Sequence, residues 1–154
     1  MAIPFPIVSP FVEQLGCELQ RCDGGVAEIT LALGPAHANA FGVAHGGIVM
    51  TLLDVAMAHA ARSLRPEALG QALGIVTIEM KTTFMRPGQG LLRATGQVMH
   101  STASMAFCEG KVVDEKGQLC AHATASFKYM RAMPVTGRQA LAQGGALLSG
   151  PGSD

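Results

Sequence analysis

The stretch from residue 40 to 64, AFGVAHGGIVMTLLDVAMAHAARSL, constrains the fold more than any other part of the chain. Between residues 48 and 61 it is apolar on every side except for three polar side chains, Thr51, Asp54 and His59. A helix that is apolar all round has to be surrounded by other elements. A bare buried charge is expensive, so the carboxylate of Asp54 must be paired, neutralised or used.

Strand-like runs separated by turn residues surround this helix. An Asp-Gly-Gly sequence at residues 23–25 joins the first two runs and predicts a hairpin. The later runs are joined by short connections, so their strands are expected to be antiparallel. The predicted strands cover residues 16–21, 26–33, 72–84, 91–100, 107–113 and 119–129, and a short helix is predicted at 10–15. The pattern predicts an α+β domain in which a curved antiparallel sheet wraps around one long central helix.

Alternation along the run 72–84 predicts two distinct faces. Residues two apart in a strand point the same way, so one apolar and one polar face are expected. The apolar set is Val76, Ile78, Met80 and Phe84, and the polar set is Thr77, Glu79, Lys81 and Thr83.

Length and composition exclude several classes of protein. The 154 residues suit one domain with a proper core, predicted at 1–132, with a Gly- and Ala-rich tail at 133–154. Lys plus Arg and Asp plus Glu number 11 each, which gives no general attraction to nucleic acid or to anionic membranes. The chain begins with no signal-peptide pattern, and its apolar helix is too short to span a bilayer. The four cysteines lack zinc spacing, and a chain of this size with 49% hydrophobic residues does not need disulfides. We therefore expect reduced thiols in a cytoplasmic protein, with neither metal nor cofactor.

His45-Gly46-Gly47 stands where the loop becomes the helix, and two interpretations of it stay open. Glycines let another molecule approach the backbone closely, and the first amides of a helix have no internal partners. These N–H groups, at the positive end of the helix dipole, suit a developing oxyanion. The alternative is that the two glycines only form a turn or N-cap, which is the commoner role of an isolated pair.

Asp54 is either a general base or nucleophile whose apolar surroundings raise its pKa, or a structural carboxylate bonded to a neighbour. It lies eight positions after Gly46, roughly 12 Å along one helix. The two groups of one chain therefore cannot easily reach the same carbonyl carbon. If both act in one site, a second copy of the chain supplies one of them, which predicts a dimer with shared sites.

Asn39, the sequence HGGIVMTLLD that ends in Asp54, and the sequence VTIEMKTTFMRP closely resemble the hot-dog-fold acyl-CoA thioesterases of the phenylacetate-pathway (PaaI-type) group. The motifs are specific in combination, and the resemblance covers roughly residues 10–130. It implies a curved antiparallel sheet around a long helix, and hydrolysis of an aryl- or medium-chain acyl-CoA to a free acid and coenzyme A. It also implies a homodimer with shared active sites. Because only 14% of the residues are charged, we expect two dimers to join into a tetramer.

The resemblance implies a role for each matching residue. Asp54 matches the catalytic carboxylate, which activates water or attacks the thioester carbon. Gly46 matches the glycine whose backbone N–H polarises the thioester carbonyl. Asn39 and His45 match polar residues that help to position the thioester. Thr77 matches a hydroxyl that assists the attacking water.

Two further residues are predicted to contact the substrate. Gly47 permits close approach to the backbone, and Arg86, before Pro87, is a reasonable contact for the coenzyme A phosphates. A solvated strand end is an equally good interpretation of Arg86. The chain departs from a second thioesterase group, which keeps a hydroxyl one turn after its acid. That position is Ala58 here, so the role would fall to Thr77.

Two other functions compete with hydrolysis. A hot-dog dehydratase or hydratase would share the fold but would pair a His with a carboxylate in motifs that this chain lacks. A non-enzymatic acyl-CoA-binding protein would show no turnover. Sensors of that kind usually add a DNA-binding segment, for which this chain has neither the room nor the basic charge.

Overall fold

The computed structural model describes residues 1–65 and 74–130, which form two α-helices, six strands and one 3₁₀ turn. Helix α1 covers Pro10–Leu15, and the long helix α2 covers Gly46–Ser63. The strands are β1 Glu18–Asp23, β2 Val26–Ala32, β3 Gly74–Phe84, β4 Leu91–Ser101, β5 Met105–Val113 and β6 Leu119–Met130, and the 3₁₀ turn is Pro35–His37. The predicted helices and strands are confirmed to within a few residues. The predicted strand start at 72–73 and the predicted tail at 133–154 lie outside the described residues.

The six strands form one antiparallel sheet in the order β1-β2-β4-β5-β6-β3. Helix α2 packs against this sheet and contacts all six of its strands. The predicted α+β hot-dog architecture is therefore confirmed. Strand β3 is 11 residues long and lies at one edge of the sheet. One side of this strand carries backbone N–H and C=O groups with no strand beside them in the described part of the chain, a row that can pair with another chain.

Two facing glycines set how closely α2 approaches the sheet. A Cβ on Gly96 of β4 would lie 2.5 Å from the carbonyl carbon of Ala56 and 2.5 Å from the amide nitrogen of Met57. Gly110 of β5 pairs directly with Gly96, and a Cβ there would lie 3.1 Å from Met57 Cγ. The helix backbone is therefore in near contact with the sheet, which fixes the height of the Asp54 segment above it.

Helix α2 buries one side against the sheet and leaves the other side partly open. The side chains that face the sheet are excluded from solvent: Leu52, Leu53, Ala56, Met57, Ala60 and Ala61. The opposite side carries Met50, Asp54 and Ala58, which are spaced one turn apart and are half-buried or exposed. Within a single chain, the sheet covers one side of the helix, so the prediction that other elements surround it is confirmed for that side only. The open side carries the carboxylate.

The predicted faces of the third strand hold after residue 79 but are wrong before it, because β3 contains a β-bulge between positions 77 and 79. Thr77 pairs with Phe127, and Met80 pairs with Ala125; both partners are buried. An extra residue in one strand resets the alternation of its side chains. Thr77 and Met80 therefore share the inner face, toward the helix, and Ile78 is 56% exposed.

The four cysteines are free thiols, as predicted. Burial raises the pKa of Cys17 to about 11 and the pKa of Cys108 to about 12. A thiol is reactive as its thiolate, so these two are inert parts of the core.

Candidate active site

Asp54 and Thr77 meet on the open side of α2. The Thr77 hydroxyl donates to Asp54 Oδ1 at 2.7 Å, which joins the helix to the edge strand β3. Partial burial raises the pKa of the Asp54 carboxyl, and the hydrogen bond from Thr77 lowers it in part. Asp54 forms no ion pair with any described residue. A carboxylate held by a hydroxyl in a partly apolar setting is suited to general-base chemistry near neutral pH.

The N-terminus of α2 leaves one backbone amide available. His45 is the N-cap, and its Nδ1 accepts a hydrogen bond from the Gly47 N–H at 2.9 Å. The N–H groups of Ile48 and Val49 donate to the His45 carbonyl. The Gly46 N–H has no acceptor within residues 1–65 and 74–130. A free N–H at the positive end of a helix dipole suits a carbonyl oxygen that gains negative charge.

His45 and Gly47 support this terminus. Because Nδ1 of His45 accepts a hydrogen bond, its neutral ring carries the proton on Nε2. The Gly47 amide is used by the cap, and a Cβ at Gly47 would approach Nδ1 of His45 at 3.1 Å. These contacts hold the segment that contains Gly46. Direct contact of His45 and Gly47 with a substrate stays a prediction.

Asn39 organises the loop before α2 and leaves its side-chain nitrogen available. Its Oδ1 accepts from the N–H groups of Phe41 at 2.9 Å and of Val43 at 3.3 Å. Its backbone N–H donates to the Val43 carbonyl at 2.8 Å. Since Oδ1 is used on the loop side, the orientation of the amide is fixed. Its Nδ2 hydrogens have no acceptor in the described part of the chain, so Asn39 can donate to a ligand.

Asn39, Gly46 and Arg86 line one cleft with a volume of about 480 Å³, a size typical of small-molecule sites. The rest of its wall is mainly apolar: Phe41, Val43, Ala44, Val49, Phe84, Met85, Pro87 and Gly88. Arg86 is exposed and supplies the one cation of this lining among the described residues. The cleft therefore fits an elongated ligand with an apolar portion and an anionic group.

Asp54 and Thr77 do not line this cleft. Asp54 lies on the same unbroken helix as Gly46, roughly 12 Å along its axis. The structure thus brings the predicted residues together in two separate groups. One group is Asn39, Gly46 and Arg86 in the cleft, and the other is Asp54 with Thr77 beside strand β3.

Sequence reasoning missed the large apolar side chains of the cleft. Phe41 is 89% exposed, Phe84 52% and Met85 48%. Their positions next to predicted site residues could have indicated them. Phe84 and Met85 immediately precede Arg86, and Phe41 lies two residues after Asn39.

His59 belongs to the core. Burial lowers its pKa to about 4, so the imidazole is neutral at physiological pH. Its Nδ1 lies 2.9 Å from the Val55 carbonyl oxygen, and its ring makes an edge contact with Phe5.

Residues 1–65 and 74–130 contain neither a metal-ligand cluster nor a membrane-spanning helix. Within these ranges no three His, Cys, Asp or Glu side chains lie close enough together to hold a metal ion. No helix in the same ranges is long and apolar enough to cross a membrane. The predicted lack of a cofactor stays a prediction.

Comparison with known proteins identifies the family that the chain matches. Residues 41–121 match the sequence model of the thioesterase superfamily, a segment that includes Gly46, Asp54, Thr77 and Arg86. A candidate esterase of Halobacterium salinarum is 34% identical over 77 residues, which are 50% of this chain and 50% of that protein. The chain thus matches about half the length of this curated relative.

Two solved structures share the fold over most of the chain. A conserved protein of Pseudomonas aeruginosa superposes with a TM-score of 0.74 and 27% identity, over 81% of this chain and 97% of that one. The PaaI protein of the Escherichia coli phenylacetic acid degradation operon superposes with a TM-score of 0.70 and 25% identity, over 79% of this chain and 85% of that one. The resemblance to the PaaI-type group is confirmed.

Proposed function

The chain belongs to the thioesterase superfamily, and from that membership we propose that it hydrolyses acyl-CoA thioesters to a free acid and coenzyme A. One observation carries the proposal. A single helix begins with a Gly46 N–H that has no acceptor among the described residues, and it presents Asp54, bonded to Thr77, on its open side. An oxyanion donor and a positioned carboxylate are the two groups that hydrolysis of a thioester requires.

The reaction follows from the properties of these groups. Asp54 takes a proton from a water molecule, and the water oxygen attacks the thioester carbon. The carbonyl oxygen becomes an oxyanion that the Gly46 N–H stabilises. Collapse of this intermediate breaks the C–S bond, and the departing thiolate takes the proton from Asp54. Attack by Asp54 itself, followed by hydrolysis of the anhydride, would give the same products.

Three side chains assist this reaction. The Thr77 hydroxyl donates to Asp54, and its oxygen can still accept a hydrogen bond from the attacking water. The Nδ2 of Asn39 donates to the thioester from the cleft side. His45 keeps the Gly46 N–H in place through its cap on Gly47.

Each active site is formed by two chains. Gly46 and Asp54 of one chain are separated along α2, so the Asp54 of one subunit serves the Gly46 cleft of its partner. The edge strand β3 supports this arrangement, because no other described strand pairs with its outer side and Ile78, next to Thr77, is exposed. Pairing of two dimers into a tetramer is a further part of the proposal.

The coenzyme A portion of the substrate occupies the cleft that holds Arg86. Its guanidinium pairs with the phosphates, and the apolar wall accommodates the pantetheine arm. No metal or bound cofactor takes part. A cytoplasmic location is supported by the four free thiols, which are typical of reducing compartments.

The first experiment compares free-thiol release from aryl- and straight-chain acyl-CoAs by the parent protein and by Asp54→Asn. We expect release by the parent and a loss of at least about 100-fold in the variant, as for loss of a group used in proton transfer. Asp23→Asn is the matched control, because Asp23 is an exposed carboxylate of β1. Equal turnover by parent and a folded Asp54→Asn protein would refute the proposal.

A second experiment isolates the Gly46 amide. Gly46→Pro removes the N–H donor and adds a pyrrolidine ring. The fold should tolerate it, since proline is common at the first helical position and His45 already has the extended φ −60°, ψ 139° that a following proline requires. Gly46→Ala keeps the N–H, and its Cβ would contact Phe84 at an ordinary 3.5 Å. We expect Gly46→Pro to lower kcat by about 100-fold or more and Gly46→Ala to retain more turnover.

Mixing the Asp54→Asn and Gly46→Pro proteins tests whether each active site is formed by two chains. In a mixed dimer of Asp54→Asn and Gly46→Pro chains, one of the two sites has both groups intact. A statistical mixture should regain about a quarter of the parent activity, although each variant alone is inactive. A site built from one chain would regain none, because every chain carries one lesion.

A further inference from the structure

The edge strand β3 carries two opposite charges, Glu79 and Lys81, that indicate how two copies of the chain join. This inference rests on the proposed function, in which each active site is formed by two chains. Both side chains are exposed, and neither forms an ion pair with a described residue. Their neighbours on β6, Ser126 and Thr124, are neutral. The two charges are therefore available to a second chain.

Glu79 and Lys81 project from the same face of the sheet. Residues two apart in a strand share a face. The residue between them, Met80, pairs with the buried Ala125 and faces α2. Both charges thus lie on the face away from the helix. They stand on a strand whose side away from β6 pairs with no described strand, and such an edge can pair with another chain.

Contacts within one chain locate the two-fold axis of the proposed dimer. The Thr77 hydroxyl donates to Asp54, and a Cβ on Gly46 would lie 3.5 Å from the ring of Phe84. Residue 77 of β3 therefore lies beside the carboxylate, and residue 84 lies beside the oxyanion donor. A two-fold axis that brings the carboxylate of one chain to the donor of its partner passes midway between them. On β3 this midpoint falls between residues 80 and 81.

Two symmetric registers fit this midpoint. Directly opposed residues of antiparallel strands project from the same face, so the pairing of two copies of β3 centres on one residue, either Met80 or Lys81. A register centred on Lys81 places the two lysines directly opposite each other, which is destabilising. A register centred on Met80 places each Glu79 opposite the partner's Lys81. The charges therefore favour the register centred on Met80.

We propose that Glu79 and Lys81 fix the register in which two copies of this chain join, with their β3 strands antiparallel and centred on Met80. Two ion pairs form across the axis, each between Glu79 of one chain and the partner's Lys81. The alternative register would slide the strands past each other by two residues, about 7 Å. The two charges thereby select the geometry in which Asp54 of one chain meets the cleft of the other.

Cysteine cross-linking measures the register directly. Co-expressed Glu79→Cys and Lys81→Cys chains place two cysteines opposite each other and keep the second ion pair, so mild oxidation should join the two kinds of chain. Neither variant alone should cross-link, because equal positions would be about 7–8 Å apart, which a disulfide cannot span. The parent, with its four native cysteines, is the control on a non-reducing gel. Cross-linking of Lys81→Cys alone, or none in the mixture, would overturn the proposed register.

Charge reversal tests the ion pairs. Glu79→Lys places like charges opposite each other in both pairs, so we expect the Kd of the dimer at low salt to rise about tenfold or more. Glu79→Lys combined with Lys81→Glu restores opposite charges and should recover most of the affinity. Lys111→Glu is the matched control, because Lys111 is an exposed lysine of β5, two strands from the edge. Sedimentation velocity measures each Kd. A dimer that Glu79→Lys does not weaken, or a double variant as weak as the single one, would contradict the ion pairs.

These outcomes separate the register from the proposed function. A parent protein whose variants cross-link as expected but which releases no thiol from any acyl-CoA keeps the register and refutes hydrolysis. A parent that hydrolyses acyl-CoA while its variants cross-link in another register leaves hydrolysis standing and refutes the roles of Glu79 and Lys81.

Discussion

The contact between Gly96 and helix α2 makes a sharp prediction about stability. In Gly96→Ala the new Cβ would lie 2.5 Å from the carbonyl carbon of Ala56 and from the amide nitrogen of Met57, about 0.9 Å inside the 3.4 Å at which ordinary contacts begin. Both atoms belong to the helix backbone and cannot rotate away. Gly96 has no positive φ, so alanine adds no backbone strain and steric overlap alone determines the effect.

The sheet cannot retreat from this overlap. Gly96 pairs with Ala27 of β2 on one side and with Gly110 of β5 on the other. Overpacking a tight interior typically costs about 1–3 kcal/mol, and backbone contacts on both elements favour the upper end. We therefore expect the free energy of unfolding to fall by about 3 kcal/mol, with a drop in Tm of roughly 6–12 °C for a chain of this size.

Urea and thermal unfolding of the parent, Gly96→Ala and Gly110→Ala proteins measure this effect. Gly110→Ala is the matched control, since its Cβ would meet mobile side-chain atoms of Met57 at 3.1 Å and Leu53 at 3.2 Å, and a backbone oxygen only at 3.2 Å. Its expected cost is about 1 kcal/mol. A Gly96→Ala protein within about 0.5 kcal/mol of the parent, the range of ordinary surface substitutions, would show that helix and sheet are not in such close contact.

Three further predictions concern the site and the core. Thr77→Val removes the hydrogen bond that lowers the Asp54 pKa, so this pKa rises and acidification abolishes activity at a higher pH than in the parent. A hydrogen bond to a charged group contributes about 1.5 kcal/mol, so kcat/KM on the acidic side of the pH profile should fall about tenfold. Thr77→Ser should retain the pH profile of the parent. Loss of the cap on Gly47 in His45→Ala should lower the urea-unfolding free energy by about 1 kcal/mol, and His45→Asn, another good cap, should restore most of it; equal stability of His45→Ala and the parent would argue against the cap. Because burial raises the Cys108 pKa to about 12, this thiol should be alkylated at pH 8 at least about 1000-fold more slowly in the native protein than after unfolding. Mass spectrometry of the labelled peptides measures both rates, and a faster reaction in the native protein would contradict the prediction.

The helices, the strands and the fold class could be predicted from the sequence alone. The apolar run around Asp54, interrupted only by Thr51 and His59, specifies a long helix that needs a sheet to cover it. Alternating segments with Gly-containing turns specify the antiparallel strands. These signals are local, because helix and strand periods are written into neighbouring residues. The helical spacing between Gly46 and Asp54 likewise followed from counting residues along one element.

Tertiary structure decided which side chains meet. The alternation of β3 predicted Thr77 on a polar outer face, but its pairing with β6 contains a bulge that places Thr77 against Asp54. The sequence left two equal interpretations of Arg86, and only the folded strand end places it beside Asn39 and Gly46 in one cleft. Its contact with coenzyme A phosphates stays a prediction. Bulges and loop packing depend on the register between strands that are far apart in the chain. A short segment of sequence therefore cannot predict them.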